Sequence, residues 1–139
     1  FDLSKAFDKV PHSDLIISLL NTDLPRGLAL LLQSYLLDRS QYVNVCNYSS
    51  SSAPITSGVP QGGCLSPSLF CMYVRHLTAS SVSSTLIKYA DDSTEIVIHK
   101  NLNDITTDIS NSISEFSASC EQLKLVLNRQ KNGLLLKQN

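Results

Sequence analysis

The chain has 139 residues, 42% of them hydrophobic, and a formal net charge of −1. That is enough apolar material for one compact domain with its own core, while near-neutrality excludes a protein that grips a phosphate backbone by a basic surface of its own. No apolar run reaches the ~20 residues of a membrane helix and no cleavable leader opens the chain, so a soluble, intracellular protein with no membrane partner is expected.

The sequence starts abruptly at Phe1 and Asp2, inside an apolar stretch, and reads as an excerpt of something longer. The alternation of Phe1 and Leu3 around Asp2 suggests a strand edge. Ser13 then reads as a polar cap leading into Asp14-Leu-Ile-Ile-Ser-Leu-Leu20, a helix with a carboxylate in its first turn that ends near Asn21 to Asp23. Pro25 precedes a second helix, with Leu28, Leu31, Leu32, Tyr35 and Leu36 on one face. Gln41-Tyr-Val-Asn-Val-Cys-Asn47 alternates as a strand does. Tyr48 and the serines after it would be the loop of a hairpin returning through Pro54-Ile-Thr56. Gly58, Pro60, Gly62 and Gly63 crowd into six residues ahead of a helix carrying Leu65, Leu69, Met72, Tyr73 and Leu77.

Thr85-Leu-Ile-Lys-Tyr-Ala90 and Thr94-Glu-Ile-Val-Ile98 are expected to pair as a hairpin with Asp91-Asp-Ser93 as its turn. Ile105, Ile109, Ile113, Phe116, Cys120 and Leu123 give the strongest helical periodicity in the chain. Leu125-Val-Leu127 and Leu134-Leu-Leu136 read as a last pair of strands. The cysteines Cys46, Cys64, Cys71 and Cys120 are scattered, without zinc-ligand spacing, and are expected to be buried or half-buried thiols.

Two adjacent acids in a turn are ordinarily just a solvated turn. Asp91 and Asp92 at a hairpin tip, however, would resist sharing a site unless a cation holds them there, and Asp2 adds a third carboxylate on a strand edge. Hard oxygen donors of this kind suit Mg²⁺.

The order of the whole set is more specific than any part of it. An acid on a first strand, a Pro-Gln-Gly loop opening a helix, and Tyr-x-Asp-Asp on a hairpin together resemble the reverse transcriptases. Phe1-Asp-Leu-Ser-Lys-Ala-Phe-Asp-Lys-Val-Pro-His12 is similar to that family's first palm motif, and Ser57-Gly-Val-Pro-Gln-Gly-Gly-Cys-Leu-Ser-Pro-Ser-Leu-Phe70 to its second. Tyr89-Ala-Asp-Asp92 resembles the third, and Leu125-Val-Leu-Asn-Arg-Gln-Lys131 the fourth. Ser34-Tyr-Leu-Leu-Asp-Arg-Ser-Gln-Tyr-Val43 looks like the stretch that non-LTR (LINE-type) elements carry between the first two.

That resemblance implies an α+β palm, an antiparallel sheet packed against helices, spanning residues 1–139 and lacking the fingers and thumb of the same polyprotein. It implies an RNA-directed DNA polymerase that takes an RNA template, a DNA primer and dNTPs, and acts in the nucleus on target DNA. Asp2 and Asp91 match the two metal-binding carboxylates of a two-Mg²⁺ site, in which Mn²⁺ can substitute, with Asp92 beside them and the Leu3 carbonyl as an extra ligand. Lys131 matches a lysine that protonates the leaving pyrophosphate. Phe7 falls where an aromatic ring selects dNTP over rNTP, with Lys5 and Ala6 beside it, and Gln61 and Gly62 match the loop that contacts nucleotide and template. By spacing alone, Phe7 is an ordinary core residue and the Gln61-Gly62 loop a tight turn.

Lys5, Asp8 and Arg39 also fit the LINE-type pattern, where a structural role is open to each. Two positions depart from it: Asn132 stands where threonine is common, and Arg75-His76 where relatives often carry Asn-Asp. His12, His76 and His99 have no acid or cysteine at a telling spacing and are expected at the surface or as caps. Two other readings compete. One is a catalytically silent palm remnant of a degenerate element, at most a module binding nucleic acid or protein; the other is a palm-like nucleotide cyclase, which Pro60-Gln-Gly62 disfavours.

Overall fold

The computed structural model describes residues 1–79, 84–99, 101–128 and 130–135, with no side-chain description for residues 102 and 103. In chain order the elements are α1 (Ala6–Lys9), α2 (His12–Leu20), α3 (Arg26–Leu36), β1 (Ser40–Gln41), β2 (Asn44–Val45), β3 (Tyr48–Ser49) and β4 (Ala53–Pro54). There follow α4 (Ser66–Tyr73), a 3₁₀ turn at Val74–His76, β5 (Ser84–Tyr89), β6 (Asp92–Val97) and α5 (Leu102–Gln122). The fold is mixed α+β, and its strand pairings are antiparallel. None of its described helices is long and apolar enough to cross a membrane. By internal contacts the chain divides into two compact units, Phe7–Tyr73 and Phe1–Ala6 with Val74–Asn139.

In the unit Phe7–Tyr73, α2 packs against α3 and α4. α2 buries Leu15, Ile16 and Leu19, and α4 buries Leu69, Phe70 and Tyr73. The stripe on α3 is Ala29, Leu32 and Leu36, at the i, i+3, i+7 spacing of one helix face. Leu28 and Leu31, expected on that face, are exposed (42% and 64%), since the buried stripe runs on the Ala29 side of Leu32. Ser13 does not cap α2. The helix begins two residues earlier, at His12, with Pro11 as its N-cap in extended conformation (φ −67°, ψ 130°); the Ser13 hydroxyl bonds the Asp14 carboxylate instead (3.0 Å).

The expected hairpin around residue 41 is two short ladders. β1 pairs with β4 and β2 with β3, so the turn falls at Cys46 and Asn47 and the Tyr48–Ser49 stretch is strand. Cys46 takes the left-handed conformation there (φ 55°). All residues from 41 to 50 are exposed, so alternation of residue type signalled extended backbone without signalling a buried face.

In the unit Phe1–Ala6 with Val74–Asn139, the β5–β6 hairpin is joined by a turn of only two residues, Ala90 and Asp91, since Tyr89 pairs with Asp92. Asp92 and Ser93, expected in the turn, are therefore strand residues. Ala90 supplies the left-handed conformation (φ 52°) that so tight a turn needs. Residues 1–3 run beside β6: the Phe1 nitrogen and carbonyl exchange bonds with the Ser93 carbonyl and N–H (2.6 and 2.9 Å). On their other edge they meet residues 125–128, through Ser4 N–H to the Val126 carbonyl (2.7 Å) and Asn128 N–H to the Asp2 carbonyl (2.9 Å). Leu127 thus pairs with Leu3 rather than with residues 134–135, which form no strand; Leu136 lies outside the described residues.

α5 covers this unit with Phe116 and Cys120, and Phe116 stacks on Phe1 (centroids 4.2 Å apart, planes at 12°). Ile113 lies half exposed, and the small Ser112 takes the buried position beside it. The helix closes with Lys124 in the left-handed conformation (φ 55°), its N–H on the Glu121 carbonyl and that of Leu125 on Cys120 (2.9 and 2.8 Å), a Schellman ending made without glycine.

Of the cysteines, only Cys120 is buried; Cys46, Cys64 and Cys71 are exposed, against expectation, because they sit in the β2–β3 turn, the glycine loop and the outer face of α4. Burial pushes the Cys120 thiol up to about 11, and burial, with Asp14 adding to it, pushes the Tyr73 phenol up to about 12. Both groups hold their protons more tightly folded than unfolded. Their contribution is complete below the ordinary thiol value of 9.0 and is lost as pH rises through 11 and 12. Urea unfolding followed from neutral pH into this range should show a falling midpoint, and Tyr73→Phe should flatten the upper part of the fall.

Candidate active site

The cross-strand register sets the first group of residues. Asp2 and Asp92 are directly opposed on neighbouring antiparallel strands, which brings their side chains out on the same face of the sheet. Asp91 occupies the adjoining turn. Asp92 is exposed and Asp91 half-buried, while the Asp2 side chain is 19% exposed. Leu3 is buried. Among the described residues no three His, Cys, Asp or Glu side chains stand close enough to form a ready-made metal cage. The donor set nonetheless suits Mg²⁺: carboxylate oxygens, two of them aimed from one face of adjacent strands.

Asp2 is the most tightly held of the three. Its Oδ2 accepts from Asn128 Nδ2 (2.9 Å), its N–H donates to Asn132 Oδ1 (2.8 Å), and the Lys131 ammonium lies 3.7 Å from its Oδ1. Lys131 is 69% exposed, so this ion pair contributes little to stability. Its consequence is placement, since it brings a cation and proton donor beside the carboxylate.

Side chains outside the motifs fix the hairpin that carries Asp91 and Asp92. Lys88 donates from Nζ to the carbonyls of Val74, Arg75 and Leu77 (2.9, 3.3 and 2.8 Å), placing a positive charge at the C-terminal end of the 3₁₀ turn, where the backbone dipole favours it. Glu95 accepts from Ser84 (2.6 Å) and from the buried Ser112 hydroxyl, tying β6 to β5 and α5. His99 does have an acid partner: its Nε2 lies 2.6 Å from Asp108 Oδ2, nine residues away and on the first turns of α5. Arg75 and His76, expected within a helix, form part of the 3₁₀ turn, with Arg75 Nε donating to His76 Nε2 (2.8 Å).

The second group belongs to the unit Phe7–Tyr73. Phe7, Gln61, Gly62, Gly63, Cys64, Ser66 and Pro67 line one open cleft of about 560 Å³, a volume in the range of small-ligand sites. Phe7 stacks on the fully buried Phe70 (centroids 4.6 Å apart, planes at 20°), so one face is packed while the ring also borders the cleft. Gln61 Nε2 donates to Asp8 Oδ1 (2.5 Å), which gives Asp8 a part in orienting Gln61. Gly62 is left-handed (φ 77°) with nothing within 4 Å of where a Cβ would lie, so glycine serves the turn there and not a close approach. Lys5 and Ala6 fall in the other unit: Lys5 is exposed and left-handed (φ 49°), and Ala6 is buried at the start of α1.

The glycine loop is pinned to residues 7–12 by backbone bonds, Val59 N–H to Phe7, Gly58 N–H to Val10 and His12 N–H to Thr56 (2.7, 2.8 and 3.1 Å). His12, expected at the surface, is buried, with its Nε2 2.7 Å from the Gly58 carbonyl. A carbonyl only accepts, so Nε2 carries the proton. No acid was needed to give this histidine a role; its partner is backbone, which spacing does not reveal. Gly58 has φ 88°, and a Cβ there would lie 3.1 Å from both Cα and the carbonyl oxygen of Asp8. Gly58→Ala should therefore cost about 2 kcal/mol or more, read as a lower urea midpoint.

Residues 1–139 match the reverse transcriptase (RNA-dependent DNA polymerase) family, and the chain belongs to it. Within that family its relatives are polymerases of mobile elements, as the LINE-type resemblance leads one to expect. It is 29% identical over 137 residues to the RNA-directed DNA polymerase from mobile element jockey of Drosophila melanogaster, covering 94% of this chain and 15% of that protein. It is 30% identical over 137 residues to the probable RNA-directed DNA polymerase from transposon BS of the same organism, again covering 94% of this chain and 15% of the relative. Over 95 residues it is 37% identical to the probable RNA-directed DNA polymerase from transposon X-element, 66% of this chain and 10% of that protein.

Proposed function

We propose that this chain is the palm of an RNA-directed DNA polymerase from a non-LTR (LINE-type) retrotransposon, which joins dNTPs to a primer 3′-hydroxyl along an RNA template. The observation that carries the reading is the direct opposition of Asp2 and Asp92 on adjacent strands, beside the turn that holds Asp91, within a chain matching the reverse transcriptase family from end to end. Asp2, Asp91 and Asp92, with the Leu3 carbonyl, would hold two Mg²⁺ or Mn²⁺ ions, which when bound supply Lewis-acid activation of the 3′-hydroxyl and neutralise charge on the leaving pyrophosphate.

The chain's own groups do the rest by position. Lys131 holds a proton on Nζ next to the Asp2 carboxylate, from where it would pass to a pyrophosphate oxygen. Phe7, backed by Phe70 so that it cannot swing away, presents bulk at the cleft where a 2′-hydroxyl would lie. Gln61 and Gly62 would meet nucleotide and template, and the exposed Lys5 the nucleotide's phosphates; Ala6, expected beside them, is buried and would only support the backbone there. With a net charge of −1, the chain depends on fingers and thumb segments of the same polyprotein for most of the positive charge that binds template and triphosphate, and it acts at target DNA in the nucleus.

Residues 1–139 alone should accordingly give little or no primer extension, whereas the polymerase containing them should extend an RNA-templated primer in Mg²⁺ or Mn²⁺. Robust extension by the isolated chain would contradict the dependence on other segments. A folded, complete polymerase that extends nothing would favour the silent remnant.

A further inference from the structure

Asp2 is gripped by one short segment through both its backbone and its side chain. The Asn128 N–H donates to the Asp2 carbonyl and Asn128 Nδ2 to the Asp2 Oδ2, each at 2.9 Å. The Asp2 N–H donates to Asn132 Oδ1 at 2.8 Å. The Asn128 amide has one orientation that satisfies its surroundings, since its Oδ1 accepts from the Gln130 N–H (3.2 Å) and Nδ2 is left to face the carboxylate. The Asn128 carbonyl accepts from the N–H groups of Lys131 and Asn132 (3.1 and 3.2 Å), closing the turn that carries Asn132 back to Asp2. A strand edge needs only the backbone bonds. The two asparagine side chains add a donor to one carboxylate oxygen and an acceptor to the N–H, leaving Oδ1 with the exposed Lys131 ammonium 3.7 Å away, longer than a charge-assisted hydrogen bond.

We propose that Asn128 and Asn132 are the positioning residues of Asp2, fixing its main chain and Oδ2 so that Oδ1 is presented to a divalent cation. The inference rests on the reading of Asp2 as a metal ligand and adds what holds that ligand still. Asn132 then has a task of its own, although it stands where related sequences often carry threonine. Partners of this kind orient a ligating carboxylate before the cation arrives, and their loss typically costs about 10–100-fold in metal affinity.

The test is Mn²⁺ affinity in the polymerase that carries this chain, measured by electron paramagnetic resonance of free Mn²⁺, with metal-free thermal unfolding as the check on folding. Asn128→Leu and Asn132→Ala should each weaken the Asp2-dependent site about tenfold or more. Asn132→Asp retains the acceptor and should bind at least as tightly as the parent. Folded Asn128→Leu and Asn132→Ala proteins with parental affinity, alongside an Asp2→Asn protein that has lost the site, would overturn the positioning role and leave Asp2 a ligand. Unchanged affinity in Asp2→Asn would remove the ligand reading itself, and the inference with it. Should Asn128→Leu not fold, Asn132→Ala and Asn132→Asp decide between them: equal affinities overturn the proposal.

Discussion

Asp2→Asn in the complete polymerase should lower primer extension by about three orders of magnitude while leaving the protein folded. Asparagine has nearly the volume of aspartate and retains an oxygen that can accept from Asn128 Nδ2, so the bond at 2.9 Å survives. The exposed Lys131 loses its ion pair at little cost. On the proposed reading, what disappears is the negative charge that would hold a divalent cation. The cation's stabilisation of the transition state is worth several kcal/mol, and each 1.36 kcal/mol is about tenfold in rate. Asp91→Asn should behave in the same way from the turn of the β5–β6 hairpin. Steady-state extension rates at saturating dNTP, with urea midpoints measured in parallel, check both; a folded variant within tenfold of the parent would remove that aspartate from the metal site.

Phe7→Ala should instead change which nucleotide is accepted. The ring packs on Phe70 and borders the cleft formed with Gln61 to Cys64, so its removal opens room for a 2′-hydroxyl and leaves Phe70 partly uncovered. Discrimination built on bulk is worth about 1–3 kcal/mol, so preference for dNTP over rNTP should fall by roughly ten- to a hundredfold. The lost stacking should also lower stability. The diagnostic quantity is the ratio of kcat/KM for dNTP and rNTP, which general destabilisation does not move. An unchanged ratio would make Phe7 a core residue and nothing more.

Much of this was legible in the residues. Helix periodicity located α2, α3 and α5, and the Tyr-Ala-Asp-Asp stretch located the β5–β6 hairpin, because both signals are local. The failures share a cause. Alternation around residue 43 found extended backbone but not its pairing, since that depends on where the turn falls, and Cys46 rather than a serine made it. Leu28 and Leu31 looked like core because composition cannot say which side of a helix its neighbour takes. His12, His99, Lys88 and Asn132 were missed or misjudged because their partners are backbone carbonyls, a backbone N–H or a residue on another element. Cleft residues Phe7, Gln61 and Gly62 came from motif resemblance, and their common lining of one cavity was not readable from spacing.

If these residues form the catalytic core of an RNA-directed DNA polymerase, the complete polymerase containing residues 1–139 should extend oligo(dT) on poly(rA) with dTTP, assayed with and without Mg²⁺ beside its Asp91→Asn variant. The expected result is template-dependent elongation that requires the metal and vanishes in the variant. Elongation that persists equally in Asp91→Asn, or a folded polymerase that elongates under neither condition, would contradict it.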